Sequence, residues 1–243
     1  VSGKGGIKTI PWWFAARETF VMSIKPLFSS PRYRIAATLL LLPALFGYER
    51  LIESYFSLRL LPLAALILTS ALVAEDRERG ALIFLLTRPI DRRALLAGKF
   101  TAAFVIVTAT ALIATALGGL RSSTAVPDFL ARLSRDFGVE ALALLAYGAL
   151  FVLLGVLTKR PVVWGLVFLF VWEQLVLLPG FFPRLTFVAY LRSLLGPNET
   201  ASTICSTGYC VSVLLAASLA TLSTAAWIFS VREYVSAPGH GTE

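Results

Sequence analysis

The chain has 243 residues, 57% of them hydrophobic and 15% charged, with a formal net charge of +8 and a mean hydropathy of +0.79. Soluble domains carry about 25% charged residues, and a soluble core cannot absorb this much apolar side chain, so the composition excludes a soluble domain and describes an integral membrane protein. The positive charge does not point to nucleic acid, because the basic residues cluster at the ends of apolar runs, where anionic headgroups meet them.

The first residues read GKGGIKT over Gly3–Thr9. A phosphate-binding loop needs G-x-x-x-x-G-K-[ST], or in its variant form K-G-G-x-x-K-[ST]. Here a single Ile7 separates Gly6 from Lys8, and Pro11 follows where a helix is required. The segment is a basic leader, and no ATPase site is expected on this chain. The first useful apolar run begins near Ile35, too late for a signal peptide, so none is expected.

An amphipathic helix is expected within residues 12–30. At 100° per residue Trp13, Phe14, Phe20, Val21, Ile24, Leu27 and Phe28 share one arc, and Lys25 and Glu18 lie outside it. Arg17 falls inside the arc and must snorkel. Such a helix lies in the interface plane, with Trp12 and Trp13 at headgroup depth. Pro26 and Pro31 are expected to end it and turn the chain into the bilayer.

Six spans can be drawn over residues 33–56, 58–74, 100–120, 140–158, 161–182 and 210–231. A span needs about 20 apolar residues. The first two are weaker, interrupted by Pro43 and Pro62, which transmembrane helices tolerate. Counting Lys and Arg near the span ends gives 15 on the side of the N-terminus and 7 on the other. Both termini are therefore expected in the cytoplasm.

Between the second and third spans lies EDRERGALIFLLTRPIDRRALLAGK, residues 75–99, with ten charged residues. Acid and base alternate before an apolar face of Leu82, Ile83, Leu85 and Leu86, and a Pro-initiated turn follows at Pro89. The pattern describes a short amphipathic helix at the cytoplasmic surface, suited to receive a soluble partner. Asp76, Arg77, Glu78, Gly80, Leu82, Leu85, Leu86, Thr87, Pro89, Ile90, Arg92, Leu95, Leu96, Gly98 and Lys99 together resemble the loop after the second span in ABC-2-type transporter permeases. Ala81 departs from that pattern, where Thr is usual.

The resemblance implies an all-α integral membrane fold. It comprises six transmembrane helices in a single domain over residues 1–243. It adds an N-terminal interfacial elbow helix at 12–30, a cytoplasmic coupling helix at 76–88 and an outer re-entrant helical hairpin at 183–209. It also implies that Arg77, Glu78, Gly80, Leu82, Leu85 and Thr87 contact a separate ATPase subunit. ATP and Mg would be bound there, with no cofactor on this chain. The implied partners are ABC ATPase subunits, a second permease copy or a homologous permease, the lipid bilayer, and an extracytoplasmic partner. The implied location is the cell (inner or cytoplasmic) membrane, and the implied activity is export.

Outside the membrane, residues 127–137 read as a separate short helix, and Pro179, Gly180 and Pro183 break the chain before an apolar stretch at 186–195. Glu173 is the one acid well inside an apolar run, and intramembrane carboxylates are functional candidates by default. Two roles stand open for it: a structural cap for broken backbone, or a partner of Arg184 or Arg192, against a place on the substrate pathway. Cys205 and Cys210 are the only cysteines, and a disulfide and two free thiols are equally open. The single histidine, His240, leaves no Ser–His or Cys–His pair and no metal set. Two rival classes remain: a membrane docking or assembly protein that transports nothing, and a secondary transporter, which would show several ionisable residues within its spans.

Overall fold

The computed structural model describes residues 12–46, 59–70, 92–122, 126–195 and 206–231. Regular structure among the described residues is helical, with eight α-helices. Three segments are long and apolar enough to cross a membrane: Arg93–Leu120, Phe129–Leu157 and Thr207–Val231.

Helix α1 (Trp12–Phe28) presents Trp12, Trp13, Val21, Met22 and Phe28 outward and buries only the small Ala15 and Thr19. The outward aromatic face is what a helix lying in an interface requires. Pro26 does not end this helix, which continues to Phe28. The turn comes two residues later. The Ser30 hydroxyl oxygen accepts the Tyr33 N–H at 3.1 Å, and Pro31 occupies the first position of α2 (Pro31–Phe46). Ser at the cap and Pro just inside are both favourable at a helix start.

Helix α3 (Leu61–Thr69) is apolar on all sides and nearly fully buried, as such a helix must be. Around it stand α2, α4 (Arg92–Ser122), α5 (Val126–Leu157) and α6 (Pro161–Phe170). Helix α5 is the hub, packing on α3, α4, α6, α7 (Phe187–Leu195) and α8 (Thr207–Val231). Residues 47–58 and 71–91 lie outside the description, so the expected first and second spans are seen as Pro31–Phe46 and Leu61–Thr69 only.

Two expectations are corrected. The short outer helix at 127–137 is not separate: α5 runs unbroken for 32 residues, about 48 Å at 1.5 Å per residue. Gly138 costs a helix interior only about 1 kcal/mol. On either side of it, Phe129 against Gly119 and Glu140 against Thr115 hold the helix along α4. The second correction is to the fifth span. Its α-helix stops at Phe170, and a 3-10 segment over Trp172–Leu177 replaces the expected continuation to 182. The break precedes Pro179 and follows from tertiary contacts: the Trp172 indole N–H donates to the Leu185 carbonyl at 3.0 Å, and Glu173 turns inward. A second 3-10 turn, Phe182–Leu185, then leads into α7.

Candidate functional site

Glu173 is buried, with 3% of its surface exposed. Its carboxylate accepts the Phe187 N–H at 3.3 Å and the Val188 N–H at 3.1 Å. These are the first two amides of α7, which no intrahelical carbonyl can satisfy. Glu173 is thus the cap of α7 from a preceding segment of chain, with its carboxyl at the positive end of the helix dipole. The structural expectation for this acid holds in kind, but its partner is α7 rather than the backbone at Pro179 or either arginine. Arg59 acts on the same carboxylate electrostatically.

A second buried acid went unrecognised in the sequence. Glu140, 2% exposed, accepts the Thr115 hydroxyl at 2.5 Å across the α4–α5 interface. Its other oxygen, Oε2, has no hydrogen-bond partner among the described residues. Tyr147 lies two turns further along α5 on the same face, fully buried. Its ring packs edge-on against Phe187 at 5.3 Å and stacks on Phe151 at 6.0 Å. The Tyr147 hydroxyl is close enough to Glu173 to interact with it but closes no well-formed hydrogen bond. Thr108, two turns before Thr115 on the same face of α4, also carries a buried hydroxyl with no partner among the described residues. Glu140 with Thr115 and Tyr147 with Glu173 thus form two buried polar groups, about 10 Å apart along α5. The sequence signal of Glu140 was hidden because it sits at the edge of its apolar run.

At the other end of the bundle, Thr69 and Ser70 close α3 just before residue 71. A Cβ on Gly155 of α5 would stand 2.9 Å from the Ser70 carbonyl oxygen, so the two backbones touch there. On the far side of residues 71–91, Leu95, Leu96 and Phe100 of α4 pack with Val152 and Val156 of α5 and with Ala225 and Phe229 of α8. The same stretch of α5 therefore seats both flanks of the charged segment. Gly98, within the motif, is where α1 crosses: its Cβ would lie 2.5 Å from the Ala16 carbonyl oxygen. Arg77, Glu78, Gly80, Leu82, Leu85 and Thr87 lie outside the described residues, as do the expected coupling helix and the Gly3–Thr9 leader. Cys210 is buried and disulfide-bonded, and Cys205 falls outside the described residues.

Three lipid-length helices, a nearly buried α3, and large apolar residues facing outward along α1, α6 and α8 define a polytopic membrane domain. The chain belongs to the ABC-2 transporter family, whose model, described as an ABC-2 family transporter protein, matches residues 52–229. It is accordingly a permease, the membrane component of an ABC transporter. No curated protein matches the chain closely enough to count as a relative.

Proposed function

We propose that this chain is the permease subunit of an ABC exporter, driven by ATP hydrolysis on separate ATPase subunits. The observation that carries the reading is the double seat on α5, where Ser70 meets Gly155 and Leu95–Leu96 meet Val152 and Val156. A force applied to residues 71–91 by a soluble partner would enter α5 from both flanks. Helix α5 contacts α3, α4, α6, α7 and α8, so the force would spread to most of the bundle. In this reading the segment at 76–88 is the coupling helix and Arg77, Glu78, Gly80, Leu82, Leu85 and Thr87 meet the ATPase. Two permease chains, identical or homologous, form the translocation unit, and ATP and Mg are held by the partner.

Six spans place both termini and the coupling segment in the cytoplasm, with α7 and the Cys210 end of α8 outside. A disulfide between Cys210 and Cys205, the only other cysteine, suits that side. Reporters fused after Thr9, Arg88 and Lys159 should score cytoplasmic, and those near Ser57, Ser123 and Asn198 external.

The functional test is purification with the ATP-binding subunit. Replacing Glu78 by Ala or Gly80 by Val should leave the protein inserted and lower the permease-dependent ATPase rate. An unchanged rate in both variants would show that the contact lies elsewhere.

A further inference from the structure

Three buried side-chain oxygens lack a partner among the described residues: Thr108 Oγ1, Glu140 Oε2 and Tyr147 Oη. Glu140 Oε2 lies in the α4–α5 seam beside Thr115, and Thr108 and Tyr147 each stand seven residues, about 10 Å of helix, from that pair. Buried polar groups in proteins are nearly always satisfied, so the open oxygen of Glu140 calls for an occupant. Water, with two to four partners, is the ordinary one in a polar pocket. Here the group is a carboxylate with one oxygen on Thr115 and one without a partner among the described residues.

Few charges surround it. The side chain acting on Glu140 electrostatically is Asp136, one turn earlier on α5. Between Lys99 and Arg121, α4 has no ionisable residue, and α3 and α6 have none. On α7 the candidates are Tyr190, whose hydroxyl donates to the Arg184 carbonyl, and Arg192. On α8 they are Tyr209 and the disulfide-bonded Cys210. Arg59 and Glu173 sit at the Tyr147 end. No ion pair to Glu140 exists among the described residues.

We propose that Glu140 is a proton-binding site within the membrane domain. Its Oε2 takes a proton from water that reaches it along the turn toward Asp136, and the carboxylate becomes a neutral acid. Release returns the proton to the same water. Glu140 stands about 26 Å along α5 from Leu157 and one turn from Asp136, whose side chain is partly exposed beside Arg135. That turn is the route by which the seam meets bulk water. Glu173 has no such freedom, since both its oxygens already accept amides.

An apolar carbodiimide tests this, because it adds to the protonated acid and reports the bound proton. The full chain in lipid bilayers is treated with it, and the adducts are mapped by peptide mass. An adduct at Glu140 that declines as pH is raised, with none at Glu173, is the expected result. A seam in which Glu140 merely clasps Thr115 would leave Glu140 unlabelled at every pH, and that result overturns the proposal. Protection of Glu140 by sodium at fixed pH would overturn it too, by making the occupant a metal cation. The readout needs no ATPase partner, so its failure is distinct from failure of the permease reading.

Discussion

The two buried acids occupy opposite situations within one bundle. Glu173 has both oxygens committed to the amides that open α7, whereas Glu140 has one oxygen on Thr115 and one on nothing among the described residues. Burial alone does not separate them, since they are 3% and 2% exposed. What separates them is the count of donors. A carboxylate satisfied by fixed backbone donors is part of the scaffold, and one with an open oxygen retains capacity for a ligand.

That contrast can be broken by substitution. The largest effect is expected from Glu173→Leu, which strips two buried amides of their acceptor and should lower stability by about 3 kcal/mol. A clear fall in the thermal midpoint of the detergent-purified protein checks it, and a stable Glu173→Leu protein with selective loss of transport would move Glu173 to the pathway. Glu173→Gln keeps one acceptor oxygen and should cost less, about 1–2 kcal/mol, with transport retained. Thr115→Val removes the one donor to Glu140 among the described residues and should cost about 1 kcal/mol by the same thermal measurement. Glu140→Gln should be smallest in stability, within about 1 kcal/mol of the parent, because Oε1 can still accept from Thr115 and the open position loses its charge. A drop as large as that of Glu173→Leu would erase the distinction between the two acids.

The sequence showed some of this readily. Helices α4 and α8 follow from long apolar runs, and α1 from its proline-flanked aromatic segment. Glu173 stood out because an acid interrupts an otherwise apolar run. Glu140 did not, because Arg135 and Asp136 precede it closely and it resembled the polar margin of a span. Its burial depends on Thr115 from another helix, and no local pattern encodes that pairing. The stop of α6 at Phe170 was hidden for the same reason: Val171 and Trp172 are good membrane-helix residues, and the contacts with Leu185 and α7 redirect them. Gly98 carried family resemblance in the sequence, and its close approach to Ala16 gives it a packing role beside any part in coupling.

The claim that the charged segment drives the bundle through α5 is tested most directly by ATP hydrolysis in a reconstituted complex carrying Gly155→Ala. The added methyl meets the Ser70 carbonyl and should loosen one of the two seats, at a cost of about 1–3 kcal/mol. The variant permease should still assemble with its ATPase subunits, while permease-dependent hydrolysis and transport fall together several-fold. Full hydrolysis and full transport in the Gly155→Ala complex would contradict the α5 route.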